Sequence, residues 1–150
     1  MLYKEDPLYL ELSQDRDWLI GFRRDLHKYQ ELSEYEFKTQ EKIFSALNEM
    51  GINNYPSATT GVCGVLIGKN DVVTIGLRAD IDALPITEMN DLDYKSAYAG
   101  VMHACGHDAH TTIQLGVAKY FARHRETLGC NLKFFFQPAE ETVGGAARMV

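Results

Sequence analysis

An α/β fold is predicted by three features of this 150-residue sequence. Apolar residues recur at helical spacing in the first third, and β-rich runs occupy the middle. A near-continuously apolar run, LKFFFQ (132–137), follows a further helical stretch. Apolar strands that alternate with helices belong to sheets covered by those helices.

Trp18, Phe22 and Leu26 fall on one face, which predicts an amphipathic helix from Ser13 to about Tyr29. Ser33 and Glu36 have capping-box spacing and predict a second helix starting at Ser33. That helix presents Ile43, Leu47 and Met50 and stops at Gly51, which suits the left-handed position after a helix end. VCGVLIG (62–68) and VVTIGLR (72–78), joined by Lys69, Asn70 and Asp71, read as a hairpin-like pair. A long polar connection follows Arg78. The next helix, over 107–123, is expected to turn Ile113, Gly116, Val117, Tyr120 and Phe121 to the core. The run 131–137 then reads as a strand buried on both faces. Strand 72–78, helix 107–123 and strand 131–137 make a β-α-β unit, for which a right-handed crossover is expected.

Composition sets bounds on function. Hydrophobic residues at 45% and charged residues at 24% are globular proportions, and the length suits one domain. A formal net charge of −6, with no Lys/Arg run, argues against a nucleic-acid surface. No apolar run approaches the roughly 20 residues of a membrane span. Lys4, Glu5, Asp6 and Pro7 interrupt the start where a signal peptide needs an apolar stretch. Cys63, Cys105 and Cys130 are spaced too irregularly for a disulfide framework. They suit a reducing cytoplasm, where a cysteine near histidine is more often metal-binding or catalytic.

The chemistry is concentrated in two segments. MHACGHDAH (102–110) packs three histidines, a cysteine and an aspartate into nine residues, and PAEE (138–141) follows. Imidazole nitrogen, thiolate sulfur and carboxylate oxygen are the donors that zinc and its divalent neighbours accept. In open α/β sheets, ligands bind outside the carboxyl ends of the strands. RADID (78–82) leaves one such end, QPAEE (137–141) leaves another, and Cys105 and His107 begin the helix between them. All three groups therefore share one rim. The helix start is expected to favour Cys105 as thiolate. Of the adjacent Glu140 and Glu141, one can bind metal while the other takes a proton from the attacking water.

Bland alternatives stand beside these assignments. The Glu-Glu pair can be a solvated acidic loop, although Gly144 and Gly145 would let backbone approach a ligand closely. Asp80 and Asp82 either hold a ligand histidine in its tautomer, a role assigned first to Asp80, or cap the following turn. Arg78 binds a carboxylate, from Asp80 or from a substrate. His110 supports a ligand or faces substrate, and His103 orients its loop. Arg23, Arg24 and His27 read as surface and packing residues. A thiol enzyme with Cys105 as nucleophile and His107 as base has poor geometry and leaves the carboxylates unexplained. A non-catalytic metal-binding fragment is the other competing function.

With RRDLHKYQELSEYEFKT (23–39), GLRADIDALPI (76–86), MHACGHDAHTT (102–112) and FFFQPAEETVGGA (134–146) in order, the chain resembles the M20 metallopeptidase family. The match is to its amidohydrolase branch of aminoacylases, hippurate hydrolases, auxin-conjugate hydrolases and N-acetyldiaminopimelate deacetylases. The resemblance implies a three-layer, mixed-sheet, di-metal aminopeptidase-like catalytic domain. It implies hydrolysis of an N-acyl amino acid, a small-molecule substrate, with two divalent ions. Zinc or manganese comes first, with cobalt and nickel open. By motif, Cys105, His107 and Glu141 are ligands and Glu140 is the general base, with Asp80 joining it in the catalytic set. Residues 1–150 would then be the N-terminal part of a single catalytic domain. The rest of that domain, a lid domain and further histidine ligands would lie beyond, and a homodimer is open to the longer form. Strand 131–137 would be left with an open edge. Gln30 stands where the family has proline, which touches a turn rather than the chemistry.

Overall fold

The computed structural model describes residues 4–70, 73–142 and 144–150. Asp71 and Val72, at the join of the expected hairpin, lie outside the described residues. The helix expected over 13–29 forms close to those bounds, and a further, shorter helix precedes it. Asp6 caps α1 (Pro7–Ser13), accepting from the Leu8 N–H at 2.8 Å, with Pro7 at the first helical position. The chain breaks at Asp15, whose carboxylate is taken by Arg123 at 2.7 Å and Lys119 at 3.2 Å, and α2 (Arg16–Lys28) follows.

α3 (Phe37–Glu49) starts later than the expected Ser33, and the capping box does not form. Ser33 and Glu36 send their side chains to other loops, and Glu31 takes over the helix start. Its carboxylate accepts from the Thr39 N–H at 2.9 Å and the Lys38 N–H at 3.2 Å. The helix ends as predicted. Gly51 adopts φ +65°, its N–H bonds to Asn48 O, and the Ile52 N–H bonds to Leu47 O, both at 2.9 Å.

The strands are β1 (Asn53–Ser57), β2 (Gly61–Leu66), β3 (Thr74–Asp80) and β4 (Asn131–Gln137), ordered β1-β2-β4-β3. β1, unexpected from its polar sequence, lies on the edge, where Pro56 is tolerated. The expected hairpin between 62–68 and 72–78 is not made. β4 lies between β2 and β3, antiparallel to the first and parallel to the second. The predicted β-α-β unit is present, with α4 (His107–Arg123) joining β3 to β4. The sheet is mixed, as the resemblance implies.

α3 and α4 meet over one face of the sheet. Phe134 and Phe136 of β4 are fully buried there with Ile43, Leu47, Val62 and Leu115. Each phenyl ring contributes about 1.5–3 kcal/mol by leaving water. Lys133 and Phe135, which alternate with them, are only half-buried, so β4 is not equally covered on both faces. The open edge is β3 rather than β4, with Val73 and Ile75 exposed. The inward face of α4 is only partly the predicted one. Thr111, Leu115 and Ala118 are among its buried residues, while Ile113 is 64% exposed. Val117 and Phe121 do pack against the core, partly buried, and with Gly116 and Tyr120 they line a groove of about 420 Å³ beside Leu8, Leu12 and Leu19 of α1 and α2. Among the described residues no helix is long and apolar enough to cross a membrane.

Candidate metal centre

Parallel pairing brings the ends of β3 and β4 to one rim, and α4 begins between them. Thr111 ties the helix down by donating to Asp80 O at 2.8 Å. Gly106, just before the helix, sits at φ +78°, which a side chain would strain. The turn so made presents Cys105 and His107 together. Ligand atoms of Cys105, His107 and Glu141 lie within 4.8 Å of one another. The convergence expected from sequence is present.

His107 is buried and held by Asp82. Its Nδ1 lies 2.9 Å from Asp82 O and 3.1 Å from Asp82 Oδ1. Nε2 is left facing Glu141 Oε1 at 3.7 Å and Asp80 Oδ2 at 3.6 Å. Glu141 Oε1 is buried without a hydrogen-bond partner. A buried carboxylate oxygen is costly to leave unpaired. Here it points at a thiol and an imidazole nitrogen, so the donor set fits a soft-to-borderline divalent cation.

Asp82, not Asp80, sets the His107 tautomer. Burial alone would raise the Asp82 pKa. Hydrogen bonds with His107, Ser33 and the Glu141 N–H outweigh it and bring the value to about 2. For His107, burial lowers the pKa, but the bond to Asp82 and the charges of Asp80 and Asp82 raise it overall. Asp80 supports His110 instead, 2.6 Å from its Nδ1, while Arg78 donates to Asp80 Oδ2 at 3.0 Å. Arg78 thus does bind Asp80, one of the two carboxylates offered to it by the sequence. Asp80, His107 and His110 also form a ligand-type cluster.

Glu140 and Glu141 diverge as expected. Glu140 is partly exposed, its Oε1 4.0 Å from Arg78, while Glu141 turns inward. Gly145 does make a close backbone approach, but to Pro138 O, which a Cβ there would meet at 1.8 Å. Cys105 differs from expectation. A hydrogen bond with Glu141, then desolvation and the charges of Glu141, Glu140 and Asp80, push its pKa up. These acids oppose the thiolate that the helix start was expected to favour.

The sequence reading missed a second polar cluster behind the rim. His27 is buried, not superficial, with Nδ1 2.8 Å from Asp108 Oδ2 and Nε2 3.1 Å from Glu88 Oε1. Arg23 Nε lies 2.7 Å from the same Asp108 oxygen. The signal available was Asp108 inside MHACGHDAH, a charge one residue from His107 at a helix start. His103 is buried with neither ring nitrogen paired, and burial lowers its pKa to about 4. Gln30 reaches across to Ser96 and to Val101 O, holding the long connection that follows β3.

Residues 76–150 match Peptidase family M20/M25/M40. N-acetyl-L-cysteine deacetylase of Bacillus subtilis is 45% identical over 148 residues, covering 98% of this chain and 36% of that protein. IAA-amino acid hydrolase ILR1-like 4 of Arabidopsis thaliana is 45% identical over 135 residues, covering 89% and 30% respectively. The crystal structure of the Bacillus subtilis YXEP protein, a dinuclear metal binding peptidase from the M20 family, superimposes with a TM-score of 0.83. It is 43% identical and covers 86% of this chain and 37% of that one. The chain thus spans about a third of the length of these relatives.

Proposed function

The chain belongs to peptidase family M20/M25/M40, and from that premise we propose that it carries the amino-terminal share of a metal-dependent amidohydrolase site acting on N-acyl amino acids. One observation carries most of the weight: the buried, unpartnered Glu141 Oε1 faces Cys105 and His107. Cys105, His107 and Glu141 would hold one divalent cation, zinc or manganese first and cobalt or nickel next. The cation, when bound, supplies a Lewis-acid charge beside the scissile amide. Glu140, on the solvent side of the same loop, takes the proton of the attacking water and delivers it to the leaving amine. Asp80, gripped by Arg78, keeps His110 oriented beside His107. Residues 1–150 are the first part of one catalytic domain, and a second cation draws its remaining donors from further chain. That longer form is compatible with a homodimer. Three free cysteines suit a cytoplasmic setting.

The relatives support the substrate class, since two of them are named for removing an acyl group from an amino acid or cleaving an amino acid conjugate. A thiol mechanism is disfavoured by the acids around Cys105, since Glu141, Glu140 and Asp80 push its pKa up and away from the reactive thiolate. The test is an assay of the full-length gene product on a panel of N-acyl amino acids, with chelator and with each metal restored. Activity that a chelator abolishes and a divalent ion returns is expected. Chelator-insensitive hydrolysis, lost on alkylating Cys105, would overturn the proposal.

A further inference from the structure

Two carboxylates from elsewhere hold the backbone of the Glu140–Glu141 loop. Asp82 Oδ2 accepts from the Glu141 N–H at 3.0 Å. Glu36, from the residue preceding α3, accepts from the Ala139 N–H at 2.8 Å with Oε1. Its other oxygen accepts from Thr60 Oγ1 at 2.6 Å in the turn between β1 and β2. Glu36 is 0% exposed, and these bonds satisfy both oxygens of a fully buried acid. Ala139 sits at φ +49°, a conformation that costs a non-glycine residue energy and persists only where its surroundings impose it. On the far side, Gly61 lets Pro138 come so close that a Cβ there would lie 2.6 Å from its ring. Glu140 is therefore bracketed between two backbone N–H groups, those of Ala139 and Glu141, each held by a carboxylate from another segment.

We propose that Glu36 is a positioning residue of the metal centre, imposing the left-handed turn at Ala139 that sends Glu141 inward to His107 and leaves Glu140 facing solvent. The inference rests on the assignment of Glu141 as ligand and deepens it. Adjacent residues can face opposite ways in many loops, but only a fixed turn holds one of them on a metal at ångström precision. The part of Glu36 that matters is its reach, because either a carboxylate or an amide oxygen can accept from Ala139, whereas a shorter side chain cannot.

Cobalt(II) titration of the full-length protein tests this, read by the thiolate charge-transfer and visible bands and by the dissociation constant. Glu36→Gln keeps the reach and should stay within about threefold of wild type. Glu36→Asp keeps the charge, loses the reach, and should weaken cobalt(II) binding about 10- to 100-fold, the range for residues that orient metal ligands. Its charge-transfer band should change intensity at temperatures well below unfolding. A purely structural role would lower the unfolding temperature and leave the bands unchanged. Thr60→Val, which removes only the second anchor of Glu36, should shift the constant the same way by a smaller factor. If Glu36→Asp does not fold, Thr60→Val decides, and an unchanged constant and spectrum there overturn the proposal. So does a Glu36→Asp protein that binds like wild type, or a Glu36→Gln protein that loses as much as Glu36→Asp. Wild type that binds no cobalt(II) overturns the metal assignment itself and this inference with it.

Discussion

His107 and His27 each place Nδ1 against a buried aspartate, His107 on Asp82 Oδ1 at 3.1 Å and His27 on Asp108 Oδ2 at 2.8 Å. At 5% and 4% exposure, burial does not separate them. Their second nitrogens do. Nε2 of His27 is closed off by Glu88 at 3.1 Å, whereas Nε2 of His107 faces two carboxylates at 3.6 and 3.7 Å and a thiol. One imidazole has every bond it can make inside the protein. The other leaves Nε2 beyond hydrogen-bond distance of both carboxylates. A His–Asp pair is thus a common structural unit, and the unfinished end distinguishes a site from a brace.

The largest expected effects lie at the unfinished end. In the full-length enzyme, Glu140→Gln should leave metal content near normal and lower kcat about 10²–10⁴-fold, the usual contribution of a general base. Glu141→Gln should instead lower metal occupancy, because it removes the charged donor opposite His107. Metal analysis beside steady-state rates checks both. Equal metal loss in the two variants would erase the division of labour between these neighbours.

The closed pair should respond differently. His27→Leu leaves Asp108 and Glu88 buried without their shared partner, and breaking such a buried pair costs about 3–5 kcal/mol. Urea unfolding should report that loss, while the folded fraction still binds metal with wild-type affinity. If His27→Leu folds normally but loses metal, the two histidines are not the separate units that their bonding suggests.

Much of this contrast was legible before the structure. The ligand types in MHACGHDAH and PAEE, placed at strand ends by a β-α-β unit, led to Cys105, His107 and one of the two glutamates, because strand ends and helix starts have local signatures, and the family resemblance pointed to Glu141. Where the reading failed, the cause was partner choice at long range. Nothing local in 62–68 and 72–78 announces that β4 will insert between them. Ile113 has helical spacing for a core position, but α4 turns Leu115 and Ala118 to the sheet and leaves Ile113 outside. Asp80 and Asp82 lie two apart at the end of β3, a spacing that puts both on one side of an extended chain, so spacing alone does not say that one goes to His110 and the other to His107. Ser33 and Glu36 match a capping box in spacing, yet the helix start is taken by Glu31, which frees both for the rim. A motif records which groups are available but not which of several partners each will find.

Asp82 offers the finest test, because it serves the open histidine and its bonds have a titration signature. Its carboxyl is held at about 2 against an ordinary value of 3.8. A depressed acid stabilises the fold above its unfolded pKa, and that contribution fades as pH falls from 3.8 towards 2. The difference amounts to about 2 kcal/mol at neutral pH. In metal-free protein, Asp82→Asn should therefore be less stable than wild type by about that much at pH 7. The gap should narrow steadily below pH 4, with denaturant titrations at several pH values tracing it. A gap that stays constant down to pH 2.5 would mean that the charge of Asp82 contributes nothing to stability. Its role would then reduce to the shape of the hydrogen bonds it makes with His107, Ser33 and the Glu141 backbone.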